Sequence, residues 1–198
     1  MLPHNSIFDV GGASIFVNEG QSSLYAIALF NSILSNYILD CLNPSANFQK
    51  GDIDRLLYKE SFKIKEEVER LSKFSISQRS ELLKYSIIEE KYKQSPFKFH
   101  GNSQNDAIKN YLNFENQTYS LIIVAQAIID NLILNSFELT ENDKENIINS
   151  QGISLGSLPI LYEAKLSLIN ILERENHIPK EIINTINNLP ELENSENI

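Results

Sequence analysis

Leu121-Ile122-Ile123-Val124-Ala125-Gln126-Ala127-Ile128-Ile129-Asp130-Asn131-Leu132-Ile133-Leu134 is the stretch on which the fold turns. It is apolar almost all round, broken only by Gln126, Asp130 and Asn131. A helix of that character is surrounded by protein rather than laid on a surface. Taken alone, the stretch falls short of the roughly 20 apolar residues that span a bilayer. It therefore reads as a central core helix, within a longer helical stretch over 104–137 that breaks near Asn116.

Downstream the pattern stays helical. Thr140-Glu141-Asn142-Asp143 caps a short helix to about Ser150, with acids in its first turn and Gly152 just past its end. Pro159 suits a first helical position, followed by a stripe of Leu161, Ala164, Lys165, Leu168, Ile169 and Leu172, with the Lys165 stem lying along it. Pro179 opens a last helix carrying Ile182, Ile183 and Ile186, and residues 191–198 form a polar, disordered tail. Upstream, Pro96 to Ser103 is a loop. Ser75 or Ser77 starts one helix to about Tyr92, and Ser61 caps another with Ile64, Val68 and Leu71 on one face.

The N-terminal quarter reads differently. Ile7-Phe8-Asp9-Val10 and Ala13-Ser14-Ile15-Phe16-Val17 are β-rich runs around Gly11-Gly12, the pattern of a hairpin or bulge. Ser22 or Ser23 caps a helix to about Leu42, with Leu24, Ile27, Ala28, Asn31, Leu34 and Ile38 on its apolar stripe. Phe30, Tyr37 and Cys41 widen that stripe, which puts Cys41 in the core and makes Asn31 a buried amide satisfied by backbone. Asn43-Pro44 ends the helix, and Ile53 to Tyr58 forms a short strand or an extended arm. The expected class is α+β, mainly α: a small N-terminal β-sheet with a packed helix over residues 1–60, then a helical extension over 61–190.

The 198 residues carry 17 Lys+Arg against 26 Asp+Glu, a net charge of −9. The imbalance is uneven. Residues 101–198 are net −9, while residues 50–98 are net +3. Any contact with phosphates therefore belongs to the first half, because cations must lie where counterions are released. A single Cys excludes an intrachain disulfide and fits a reducing, cytoplasmic setting. His4, His100 and His177 lie far apart with no Cys or carboxylate at ligand spacing, which argues against a metal site. No Gly-x-Gly occurs, so the dinucleotide fingerprint is missing. Paired acids such as Glu66-Glu67 and Glu89-Glu90 sit in solvated charge runs, and no set of residues assembles an active site.

Two motifs carry a resemblance. The first is Ile7-Phe8-Asp9-Val10-Gly11-Gly12-Ala13-Ser14-Ile15-Phe16. The second runs from Leu29-Phe30-Asn31-Ser32 through Asn36-Tyr37 and Asn43-Pro44 to Asn47-Phe48-Gln49-Lys50-Gly51-Asp52-Ile53. Together they resemble the region after the catalytic domain in adenine-specific DNA methyltransferases of the BREX phage-defence type (PglX-like) and in their TaqI-like restriction–modification relatives. The good match covers residues 6–57, with a weaker echo from Ile128-Ile129-Asp130 to Glu141. The chain departs from the family pattern in having no Trp. Its one Asn-Pro, in Asn43-Pro44-Ser45-Ala46, lacks the second Pro and the aromatic that hold a flipped adenine in those enzymes.

The resemblance implies a target-recognition fragment without catalytic residues of its own. S-adenosylmethionine would bind the missing catalytic domain, which also performs base flipping. The implied partners are double-stranded DNA and a methyltransferase catalytic domain or another defence-system subunit, with no membrane. On side-chain chemistry and motif position, Asn47 and Gln49 suit adenine N6 and N7, while Lys50 and Arg55 suit phosphate or guanine. Phe48 suits an anchor. Gln49-Lys50-Gly51-Asp52 also fits a plain turn. The rival reading is a protein-interaction module that docks on a methyltransferase or defence subunit without touching DNA, and the net charge favours it.

Overall fold

The computed structural model describes residues 15–44, 50–172 and 177–192. Eight α-helices fall among them: α1 (Ser23–Phe30), α2 (Ile33–Leu42), α3 (Lys50–Ile53), α4 (Lys65–Leu83), α5 (Gln104–Ser136), α6 (Glu141–Gln151), α7 (Tyr162–Leu172) and α8 (Lys180–Asn188). Among the described residues the strands are β1 (Ile160–Leu161) and β2 (Glu191–Leu192), a parallel pair with Ile160 opposite Glu191 and Leu161 opposite Leu192. The protein is mainly helical, as its apolar periodicity indicates.

The expected N-terminal sheet is corrected. Ile7 to Ser14 lie outside the described residues, but Ile15, Phe16 and Val17 are irregular, with Phe16 75% exposed. Residues 53–58 also form no strand. Ile53 ends α3, Asp54 and Arg55 turn, and residues 57–60 are irregular. Their β-rich composition is used for packing instead: the Tyr58 ring lies 6.4 Å from that of Tyr25, edge-on, and 6.2 Å from that of Phe30. The sheet found among the described residues uses Glu191 and Leu192, which composition assigns to the tail. It is pinned by the Ile160 N–H donating to the Pro190 carbonyl at 2.9 Å.

The expected helix over 22–42 is two helices bent by 60°. Ser32 causes the break. Its Oγ accepts from the Ser35 N–H at 3.3 Å, as an N-cap does. That hydroxyl also donates to the Leu29 carbonyl at 2.7 Å, and Ser35 Oγ donates to the same carbonyl at 2.6 Å. The orphan carbonyl at the end of α1 is thus satisfied by side chains. The bend re-phases the buried stripe onto Tyr25, Ala26, Ala28 and Leu29, then Leu34, Ser35 and Leu39. Asn31 becomes an exposed C-cap whose Nδ2 donates to the Ile27 carbonyl, and Cys41 is exposed rather than in the core.

Elsewhere the helices merge. Ser75 and Ser77 start nothing, because α4 runs unbroken through both, burying Val68, Leu71, Phe74, Gln78 and Leu82 at helical spacing. In the same way α5 passes Asn116 without a break. Leu121, Val124, Ala125, Ile129, Ile133 and Leu134 are buried, as expected of a core helix. Over its 33 residues α5 is long and apolar enough to cross a bilayer by length and composition. Half of its apolar window is buried inside the protein. Within this helix Asp130 accepts hydrogen bonds from the Ile33 N–H and from Ser154 Oγ, at 3.1 and 2.7 Å.

The chain forms two compact units, each discontinuous in sequence: Met1–Ser72 with Ile129–Ser154, and Lys73–Ile128 with Leu155–Ile198. In the first, α2 packs on α6, and Gln151 Nε2 donates to Asp40 Oδ2 at 2.7 Å. Here α6 opens with the expected capping box of Thr140 and Asp143 and closes at Gly152, whose φ of 82° lies where a side chain is strained. In the second unit, α7 packs on α8. Lys165 is buried there, its stem on the apolar stripe as expected, and its Nζ donates to the Leu189 carbonyl at 3.0 Å and to Glu191 Oε1 at 2.9 Å. Gly156 is buried against α5, where a Cβ would stand 2.2 Å from the Ile123 carbonyl oxygen.

Candidate nucleic-acid interface

Two of the four residues proposed to read DNA, Asn47 and Gln49, lie outside the described residues, as does Phe48. The other two lie in α3 and just after it. Asn43 Nδ2 donates to Asp52 Oδ2 at 2.8 Å, which ties this single turn to the end of α2. Lys50 opens the turn and Arg55 follows it, both exposed. Gly51 sits within the helical turn at a negative φ, so this part of the motif is helix rather than the tight turn considered from sequence.

The electrostatics of the turn are mixed. Lys50 Nζ lies 2.9 Å from Asp54 Oδ2, an i,i+4 pair on a side chain that is 85% exposed. A pair that open to water is worth little to stability, but it offsets part of the charge a phosphate would feel. Arg55, Lys59 and Lys63 continue as exposed cations in the same unit. Lys59 and Lys63 were not singled out from sequence, although the net +3 over residues 50–98 is the signal that contains them.

The segment carrying these cations is held by a polar clasp. Glu60 Oε1 accepts from the Ser22 N–H at 2.7 Å and from the Tyr58 hydroxyl. Its Oε2 accepts from Lys65 Nζ at 2.5 Å. Tyr25, fully buried, brings its hydroxyl 3.3 Å from the Ser61 N–H, which donates to it. The Lys65 ammonium, then the Tyr58 hydroxyl and the Ser22 N–H, hold the Glu60 carboxyl down at about 2. The same contacts work on their partners: burial and the bond to Glu60 push the Tyr58 phenol up, and the bond to Glu60 raises Lys65. This network fixes residues 58–65 on the start of α1. It leaves Lys59 and Lys63 facing water.

Among the described residues no group of three or more His, Cys, Asp or Glu stands ready for a metal ion. An open pocket of about 380 Å³ in the second unit is lined by Ser157, Asn184, Thr185, Asn188, Leu189 and Pro190. It offers amides and hydroxyls but neither a ring to stack adenine nor a carboxylate for a ribose, so it does not fit S-adenosylmethionine.

The chain is similar to an adenine-specific methyltransferase. That protein is the adenine-specific methyltransferase BrxX of Escherichia coli O9:H4 (strain HS), 26% identical over 159 residues. The match covers 77% of this chain and 13% of the relative, so the chain spans a small part of that protein's length. No family model matches, and no solved structure matches. The similarity is distant and supports a methyltransferase relationship.

Proposed function

We propose that this chain is the DNA target-recognition fragment of an adenine-specific DNA methyltransferase from a BREX-type phage-defence or restriction–modification system, acting in the cytoplasm. The observation that carries the reading is the extent of the match: 77% of this chain aligns with only 13% of an adenine-specific methyltransferase. In this reading the chain takes a recognition or support role, and methyl transfer and S-adenosylmethionine belong to the remainder. In this reading Asn47 and Gln49 pair with base edges, while Lys50 and Arg55 meet phosphate or guanine. Residues 1–60 form the recognition portion and residues 61–190 its helical support. A second reading rests on the net charge of −9: the chain docks on a methyltransferase or defence subunit and does not touch DNA.

Fluorescence anisotropy of a mixed-sequence duplex, titrated with the purified chain across a salt series, separates the two. DNA recognition predicts binding that falls steeply with salt. Replacing Lys50 or Arg55 by Ala weakens binding to all sequences alike and lowers the salt slope by about 1 each. Asn47→Ala relaxes a sequence preference instead. A chain that binds no duplex at 50 mM salt overturns the DNA reading and leaves the docking module.

A further inference from the structure

The second unit carries a feature that the motif residues do not explain. Residues 84–94 form a loop with pinned ends, the Lys84 carbonyl accepting from the N–H groups of both Lys93 (2.7 Å) and Gln94 (3.3 Å). Turns within it are closed by Glu89 N–H to the Ser86 carbonyl and Tyr92 N–H to the Glu89 carbonyl, both at 3.0 Å. Tyr85 anchors its base, its ring 5.4 Å from Phe99, 5.3 Å from Tyr111 and 5.7 Å from Phe114. From this fixed base the tip presents Ile87, 79% exposed, and Ile88, 88% exposed. The next segment, Ser95 to His100, leaves the same ring cluster through Phe99 and presents Phe97, 62% exposed.

Two large β-branched residues held in water by a tied loop are an arrangement that folding alone does not reward. The surrounding charges say what covers them. Lys91, Lys93 and Lys98 are exposed and Lys84 is paired with Glu81, so residues 81–100 hold four lysines against Glu81, Glu89 and Glu90, for a net +1 in a chain that is net −9. Apolar wedges flanked by cations are how proteins open a base step while holding the adjoining phosphates. We propose that this loop pair is a DNA contact, with Ile87 and Ile88 entering at a base step and Lys91, Lys93 and Lys98 on the phosphates. It rests on the DNA reading above and adds a contact outside the motif.

The test uses the full chain and a duplex carrying 2-aminopurine at flexible TA steps, where unstacking raises fluorescence. Wild type should raise the signal on binding. Ile87→Ser with Ile88→Ser should abolish the rise and weaken affinity by roughly tenfold. The paired change leaves the fold intact because both side chains are already in water, which circular dichroism checks. Lys91→Ala with Lys93→Ala should lower the salt slope by about 2. A serine variant that binds and brightens like wild type, while Lys50→Ala still weakens binding, overturns the wedge and leaves the recognition reading standing. A wild-type chain that binds no duplex overturns both. Self-association lost in the serine variant, with DNA binding unchanged, makes the tip a protein contact and overturns the wedge.

Discussion

Glu60 shows how one side chain holds a whole segment. Its carboxylate gathers Lys65, Tyr58 and the Ser22 N–H, and its folded pKa of about 2 lies below the ordinary 4.5. A carboxyl depressed in this way contributes stability in full above about pH 4.5. That contribution is lost as pH falls toward 2, because the unfolded chain takes up the proton first. Replacing Glu60 by Gln should cost about 2 kcal/mol at pH 7, the worth of hydrogen bonds to a charged group still in touch with solvent. It should also flatten the dependence of the melting temperature on pH between about 4.5 and 2. Thermal melts at several pH values measure both effects, and an unchanged slope would show that the clasp contributes nothing. Gly156 makes a second residue-scale case. A methyl group there meets the Ile123 carbonyl and Val124 Cα, at 2.2 and 2.6 Å. Backbone atoms cannot swing aside as a side chain tip can, so Gly156→Ala should destabilise by about 2–3 kcal/mol in chemical denaturation.

At the scale of elements, the α1–α2 bend and the C-terminal strand are set by polar atoms inside apolar packing. Ser32 is fully buried and serves the end of one helix and the start of the next. Ser32→Ala leaves the Ser35 N–H without its cap and should cost about 1–2 kcal/mol in denaturant unfolding. Lys165 does comparable work for β2. Its ammonium reaches the Leu189 carbonyl and Glu191, while its stem fills the stripe beside Leu168 and Leu172. Lys165→Ala should therefore loosen residues 189–192, read as faster amide hydrogen exchange there. Lys165→Met keeps the stem and separates the packing from the charge. If both variants exchange like wild type, the clasp does not hold the strand.

For the whole molecule, the discontinuity of the units matters most. The first unit draws Ile129–Ser154 from far down the chain. Asp130 from that segment accepts the Ile33 N–H at the start of α2, and α6 covers the same helix. A fragment ending at residue 60 lacks these partners, and helices as short as α1 and α2 are marginal on their own in water. Such a fragment should show little helical signal by far-UV circular dichroism. A native-like helical spectrum would show that residues 1–60 fold without α6. The charge pattern also belongs to this scale: cations concentrate in residues 50–98, while residues 101–198 repel phosphate.

Much of the helical content was legible in the sequence, for local reasons. The apolar run around Leu121–Leu134, apolar almost all round and broken by Gln126, Asp130 and Asn131, fits a helix packed inside the protein. The Thr140–Asp143 box, Gly152 and Asn43-Pro44 mark ends through hydrogen bonds or sterics spanning a few residues. The charge asymmetry that points to residues 50–98 is likewise a property of composition. Other features depend on partners distant in the chain. The β-rich residues 15–17 and 53–58 form no ladder among the described residues, and Tyr58 packs on the rings of Tyr25 and Phe30 instead. Ser32 looked like one more residue within a helix until Leu29 and Ser35 closed around it. Cys41 followed the apolar stripe on paper, and the bend turned it out to water. Nothing local marks Glu191 as a strand residue, because its ladder partner is Ile160 and its cation is Lys165. Sequence alone determined that the chain is mainly helical and where cations gather. Tertiary structure decided which faces are buried and which segments pair, because burial and long-range hydrogen bonds depend on what the rest of the chain brings alongside.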